Sequence, residues 1–243
     1  MLAVRIIPTV LNRRGQMMKG KAFASDRVIG HSFQASKVFG MRGVDELILL
    51  DIGGREPDYQ NIRELSSGFF SPLTVGGGIK TSEQVQKLLR SGADKISICT
   101  SALEKFGFIS ELSQKFGSQC VTVSIDVKDN KVYSRNGTKA WDIDPVAWAK
   151  IVAKRGAGEI LLSSISRDGK IEGYDLELIK VVSQAVPVPV IASGGCSGYE
   201  DMYQAVQMGA SAVAAGALWS FTDCTPIKAA EYLARKNIEV RYG

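Results

Sequence analysis

Short apolar runs rich in β-branched residues alternate with amphipathic stretches along the whole chain. The apolar runs fall at residues 4–11, 46–51, 72–75, 95–98, 120–126, 159–163, 189–192 and 212–215. Each is short and nearly continuous, the pattern of a parallel strand buried on both faces. Between them, helical spacing predicts helices over 30–42, 59–67, 81–91, 104–116, 144–155, 175–185, 198–208 and 225–236. Thr81-Ser82-Glu83 and Asp144-Pro145 read as helix starts, with capping oxygens and an early proline. Eight strands alternating with eight helices predict parallel β-structure joined by right-handed crossovers. Either an open doubly wound sheet or a closed barrel satisfies that alternation.

An internal repeat favours the barrel. Pro72-Leu-Thr-Val-Gly-Gly-Gly78 resembles Pro189-Val-Ile-Ala-Ser-Gly-Gly195, and the register holds without a gap from 72–93 against 189–210. Glu46-Leu-Ile-Leu-Leu matches Glu159-Ile-Leu-Leu-Ser upstream. Two halves of four strands each, about 1–117 and 118–243, predict a single (β/α)8 TIM barrel of class α/β, built from two similar half-barrels.

The repeat also suggests chemistry. Gly77, Gly78, Gly194 and Gly195 follow the third and seventh predicted strands, where bare backbone N–H groups reach an anion and a helix start adds positive potential. Gly216 after the eighth strand, and the Thr100 hydroxyl after the fourth, extend the two cradles. Two matching cradles at one barrel mouth suit a phosphorylated small molecule with an anionic group at each end. The alternative is that these glycines only make tight turns.

Composition narrows the classes. The chain has 243 residues, 45% of them hydrophobic and 23% charged, enough for one substantial core. No apolar run is long enough to span a membrane, and the N-terminus reads as a strand and not as a signal peptide. The net charge is +5, but the basic residues are scattered, so an anionic metabolite is expected and nucleic acid is not. Cys99, Cys120, Cys196 and Cys224 have no metal-type spacing and read as reduced thiols of a cytoplasmic protein, with no metal or cofactor expected.

Barrel chemistry sits at the C-terminal ends of the strands. Those ends offer Asp51, Asp126 and, after the sixth strand, Asp168. His31, the sole histidine, lies at a helix start, so acid–base work falls to carboxylates. Asp126 ends an otherwise apolar strand and is the principal candidate. A loop or cap contact is the plainer reading of Asp51. Leu11 holds the half-barrel position equivalent to Asp126 and cannot transfer a proton.

Arg5-Ile-Ile-Pro8, Asp45-Glu-Leu-Ile-Leu-Leu-Asp51, Pro72-Leu-Thr-Val-Gly-Gly-Gly-Ile79, Gly92-Ala-Asp-Lys95, Ile125-Asp126, Gly156-Ala-Gly-Glu-Ile-Leu-Leu162, Arg167-Asp-Gly169 and Ile191-Ala-Ser-Gly-Gly195 together resemble the cyclase subunit of imidazole glycerol phosphate synthase, across nearly the whole chain. The resemblance implies a lyase step of histidine biosynthesis, in which a glutaminase subunit supplies ammonia to a bis-phosphorylated ribulosyl intermediate. It implies two catalytic aspartates, matched by Asp126 and replaced by Leu11. Losing a positioned acid–base group costs about 10²–10⁴-fold in rate. It implies a substrate-covering loop over 12–23 that retains Lys19, and an altered acidic position at Ser166 with Asp168 kept. It further implies a charged floor of Arg5, Glu46, Lys95 and Glu159 that gates ammonia, with Asp94 contacting the glutaminase.

A retained gate with a lost acid resembles a divergent branch of that family, which supplies ammonia for acetamidino modification of bacterial surface sugars. Arg55-Glu-Pro-Asp-Tyr59, Gly137-Thr-Lys139, Asp144-Pro-Val146 and Ser211-Ala-Val-Ala-Ala-Gly216 carry that closer likeness. A sugar amidotransferase then becomes a further implied partner. Three readings stay open: a competent cyclase, an ammonia-delivering paralogue, and a non-catalytic scaffold that activates a glutaminase. A related half-barrel isomerase ranks below them, since it has no use for the charged floor.

Overall fold

The computed structural model describes residues 3–53 and 56–241. Met1, Leu2 and the Arg55 of the branch motif lie outside the described residues. Eight parallel strands form the barrel: β1 (Arg5–Arg13), β4 (Leu47–Asp51), β5 (Leu73–Gly76), β6 (Lys95–Ile98), β7 (Val121–Lys128), β10 (Glu159–Ser164), β11 (Val190–Ser193) and β12 (Ala212–Ala215). Each pairs with the next. The circle closes where β12 pairs with β1 and β7 with β10.

The remaining strands are two hairpins on the rim. One is β2 (Gln16–Lys21) with β3 (Ala24–His31). The other is β8 (Lys131–Ser134) with β9 (Lys139–Trp141). The sequence reading missed both, because their side chains do not alternate over enough residues to separate them from loop. Consequently β1 does not stop at Leu11. It runs on to Arg13 and turns back, so that Leu11 pairs with Leu50 of β4 on one side and Met18 of β2 on the other.

Helices α1 (Ser32–Met41), α2 (Tyr59–Ser66) and α3 (Ser82–Arg90) follow the early strands. α6 (Pro145–Lys154), α7 (Leu176–Ala185), α8 (Tyr199–Gln207) and α10 (Pro226–Arg235) follow the later ones. Predicted starts are confirmed in detail. Thr81 and Gln84 form a reciprocal capping box on α3, and the Asp144 carboxylate accepts from Ala147 N before Pro145. The predicted helix over 104–116 is instead two, α4 (Thr100–Glu104) and α5 (Phe108–Phe116), broken around Gly107. A matching short helix, α9 (Ala217–Phe221), follows β12. Both short helices begin at the mouth.

The strand period of two separates two cores. Val4, Ile6 and Val10 of β1 and its approach, with Leu47 and Leu49 of β4, face outward against the helices. Ile7, Ile48, Leu161, Ile191, Ala212 and Ala214 form a separate fully buried cluster that fills the barrel axis. Side chains on the inward rows lie above that plug in the mouth and below it in the floor.

Candidate active site

The floor is a closed ring of ion pairs. Glu46 accepts from Arg5 at 2.7 Å and Lys95 at 2.8 Å, while Glu159 meets Arg5 at 2.6 Å and Lys95 at 3.0 Å. Thr74 Oγ1 donates to the other oxygen of Glu46 at 2.6 Å. Glu46 is only 1% exposed, and two cations and a hydroxyl stand where water would otherwise solvate its carboxylate. Burial works to lower the Arg5 pKa, but Glu159 and Glu46 outweigh it and hold the guanidinium above its usual range. Asp94 sits beside the ring, exposed, and its carboxylate accepts from Leu73 N at 2.8 Å.

At the opposite end lies a cavity of about 580 Å³. Leu11, Asp51, Gly77, Gly78, Asp126 and Asp168 all line it, so the strand-end residues singled out in the sequence do converge. Asp126 is 8% exposed on β7, which does not end there as the sequence pattern suggests but runs on to Lys128 to pair with β8. Its Oδ1 accepts from Ser124 Oγ at 2.8 Å and its Oδ2 from the Cys99 thiol at 3.4 Å. Burial raises its pKa to about 6, against the pull of those two donors. A carboxyl poised near 6 exchanges protons close to neutrality. Burial and the adjacent Asp126 carboxylate hold Cys99 well above the normal thiol range, so it remains a thiol donor.

Asp51 is largely spoken for. Its Oδ1 accepts from Gly53 N at 2.7 Å and its Oδ2 from Asn12 Nδ2 at 3.1 Å. Asn12 is 1% exposed and turned out of the mouth, as a one-residue step along a strand requires. Leu11 faces the cavity, and Arg13, two residues further along the same row, lines it as well.

A second, narrow recess of about 40 Å³ adjoins the cavity, and both share Thr9, Leu11, Asp168 and Ser193 as walls. Gly194, Gly195, Gly216 and Lys19 line this recess. Lys19 reaches it from the β2–β3 hairpin and is 5% exposed; its ammonium lies 3.4 Å from Thr9 O. Burial lowers its pKa to about 8, partly offset by Asp168. Asp168 is raised by its own burial and lowered by Lys19. Gly216 leaves room for that ammonium, since a Cβ there would collide with Lys19 Nζ. Gly77 has φ 101°, and a Cβ would strike the Asp51 carbonyl, so both its conformation and its packing demand glycine.

The hairpins roof the mouth. Ala22 N donates to Asp168 O at 2.9 Å, Phe23 packs against Gly137, and Asn136 Nδ2 donates to Ile52 O at 3.1 Å. Thr100 Oγ1 accepts from Arg135 N at 3.0 Å, so the proposed phosphate hydroxyl also anchors the β8–β9 turn. Cys99, Ser124, Lys80, Lys105 and Arg135 also line the cavity and were not among the predicted site residues. Cys99 and Lys80 sit within two residues of predicted ones, a signal that was available. Arg135 comes from a hairpin that the strand pattern did not reveal.

A (β/α)8 barrel with a carboxylate-lined mouth and an ion-paired floor is thus the class that the geometry defines. Residues 5–223 match the family model described as histidine biosynthesis protein, and the chain belongs to that family. It is 42% identical to the imidazole glycerol phosphate synthase subunit HisF of Dictyoglomus thermophilum, with 99% of each chain covered. It is 43% identical, again over 99% of each, to a Campylobacter jejuni protein provisionally named imidazole glycerol phosphate synthase subunit hisF2. Within the family the chain is accordingly HisF-like. Among the described residues no helix is long and apolar enough to cross a membrane.

Proposed function

We propose that this barrel is a cyclase-type subunit that receives ammonia from a glutaminase partner at its floor and binds a phosphorylated small molecule at its mouth. We further propose that it is a divergent paralogue, delivering ammonia for acetamidino modification of a bacterial surface sugar, with a sugar amidotransferase downstream. In this reading the chain is one domain of two half-barrels, 1–117 and 118–243. Arg5, Glu46, Lys95 and Glu159 act as the ammonia gate, and Asp94 contacts the glutaminase. Gly77, Gly78 and Thr100 form one anion cradle; Gly194, Gly195, Gly216 and Lys19 form the other, with Asp51 and Asp168 holding the rim.

One observation carries the choice of paralogue: Leu11 lines the same cavity as Asp126, where a two-aspartate mechanism needs a second proton carrier. The carboxyl of Asp126, poised near 6, then has no acidic counterpart on β1. A competent cyclase is the second reading. Asp168 favours it, because it is a second buried carboxyl lining the same mouth, and its burial raises its pKa.

The deciding assay supplies ammonia and the ribulosyl bis-phosphate intermediate to the purified chain. The paralogue reading predicts turnover at least about 10²-fold below that of a two-aspartate barrel, with part of it restored by Leu11→Asp. It also predicts that the chain accelerates glutamine hydrolysis by a glutaminase partner. Full turnover by the unaltered chain establishes the cyclase instead.

A further inference from the structure

Asp126 meets two neutral donors of unequal strength. Ser124 Oγ, two residues back on the same row of β7, donates to Oδ1 at 2.8 Å, and the Cys99 thiol donates to Oδ2 at 3.4 Å. Cys99 stands just beyond β6, on the row that runs from Lys95 in the floor through Ser97 into the mouth. Ser97, Cys99, Ser124 and Asp126 all line the large cavity. The thiol has a second acceptor within reach. Tyr133 O lies 3.5 Å from Cys99 Sγ, on β8, where Tyr133 is the register partner of Asp126.

A thiol carries one proton, so it serves one of these acceptors at a time. The charge on Asp126 decides which. An ionised carboxylate holds the S–H proton more strongly than a neutral carbonyl does, because hydrogen bonds to an ionised acceptor are about twice as strong. Once Asp126 takes a proton that advantage is gone, and the Tyr133 carbonyl wins. Protonation therefore costs less on one oxygen than on the other. A proton arriving on Oδ1 displaces a short O–H···O bond, whereas one arriving on Oδ2 displaces only a weak thiol bond whose donor has another acceptor beside it. Cys99 stays protonated throughout, since burial and the Asp126 carboxylate raise its pKa well above the usual thiol range. Asp168 acts on Asp126 through space, and Arg13, Asp51, Lys80, Glu104, Lys105 and Arg135 line the same cavity. A response that belongs to Asp126 must for that reason vanish when its carboxyl is removed.

We propose that Cys99 is a positioning residue for Asp126: its thiol turns between Asp126 Oδ2 and the Tyr133 carbonyl as Asp126 loses and gains its proton, and so directs proton exchange to Oδ2. This deepens the reading of Asp126 as the proton carrier of the mouth and rests on it. The thiol response belongs to the ligand-free chain and needs neither turnover nor a glutaminase. Its failure is thus distinct from failure of the ammonia and cyclase assays.

Infrared difference spectroscopy of the full chain tests the assignment, because S–H stretching falls in a window where other protein groups do not absorb. Subtracting the spectrum of Cys99→Ala isolates the Cys99 band from those of Cys120, Cys196 and Cys224. Titrated from about pH 4 to about pH 8, that band should move to lower frequency as Asp126 ionises, with its midpoint at about 6, and should stay fixed in Asp126→Asn. Carbon-13 NMR of the Asp126 carboxyl reads the reverse effect. Cys99→Ser supplies a stronger donor and should lower the proton affinity of Asp126 by about threefold, while Cys99→Ala supplies none and should raise it by about threefold. Thermal melts identify a misfolded variant, and subtracting Cys99→Ser isolates the same band if Cys99→Ala fails to fold. A side chain that only filled space would leave the band fixed and would not order the three midpoints by donor strength. A Cys99 band that does not move through pH 6 would overturn the proposal. So would a shift that persists in Asp126→Asn and hence belongs to Asp168, or midpoints that move in the same direction in Cys99→Ser and Cys99→Ala.

Discussion

Replacing Asp126 by Asn should stabilise the folded chain at pH 8 while removing the proton carrier that β7 places in the mouth. Asp126 is buried, and its pKa stands at about 6 against an ordinary 3.8. At about 1.4 kcal/mol per decade, keeping it ionised in the folded state costs about 3 kcal/mol relative to the unfolded chain. The sign follows from the raised value. Well below pH 3.8 the carboxyl is protonated in both states and costs nothing. The penalty builds as pH rises from there through about 6 and is complete above it. Asn is neutral throughout, so it escapes the penalty. It can still accept from Ser124, but its amide would face the Cys99 thiol as donor against donor, a loss of about 1 kcal/mol. The variant should therefore be about 2 kcal/mol more stable at pH 8 and equal to or slightly below the parent at pH 4. Urea denaturation of both proteins at the two pH values reads the difference, and the other titrating groups cancel between them. A variant no more stable than the parent at pH 8, or a gap that does not change with pH, would refute the picture of a desolvated, charge-intolerant Asp126.

Three further outcomes are expected. Lys95→Ala removes one cation from both Glu46 and Glu159 while Arg5 remains on each, so unfolding free energy should fall by about 3 kcal/mol or less in urea melts, and glutaminase-derived ammonia should be transferred with altered efficiency. An unchanged melt would mean that the Lys95 ion pairs contribute nothing to the stability of the floor. Gly195→Val forces a side chain at φ 102° into the Gly173 carbonyl and Arg167, and should cost at least about 2 kcal/mol as well as orthophosphate affinity; wild-type melting and binding together would exclude the cradle there. Finally, Lys19 at about 8 predicts that orthophosphate binding in the narrow recess weakens as pH rises from 7 to 9, because the ammonium that would meet the anion is lost. Titrations giving one affinity across that range would remove Lys19 from the recess chemistry.

Much of this architecture is legible in the amino-acid order. All eight barrel strands were located to within a residue or two, because buried parallel strands are continuous apolar runs that nothing else in a chain this size resembles. Helix starts at Thr81 and Asp144 were equally plain, since capping is local chemistry. Asp126 stood out as a charge ending an apolar strand, a contrast visible in one dimension. The rim was not legible. The hairpins at 16–31 and 131–141 pair short, polar or mixed strands whose stability comes from lying on the barrel mouth. Lys105 and Arg135 are unremarkable surface residues until the fold sets them beside Thr100.

Periodicity, an internal repeat and local capping are properties of neighbours along the chain, and they sufficed to specify a closed barrel with a glycine cradle on each side of its mouth. Which side chains share a cavity, and with what proton affinity, depends on contacts between residues tens of positions apart. Burial of Asp126 and Lys19, closure of the Arg5–Glu46–Lys95–Glu159 ring, and the meeting of Lys80, Lys105 and Arg135 at one cavity all arise only when the β-sheet closes. Desolvation and Coulomb forces act through space, and only the tertiary structure assigns those distances.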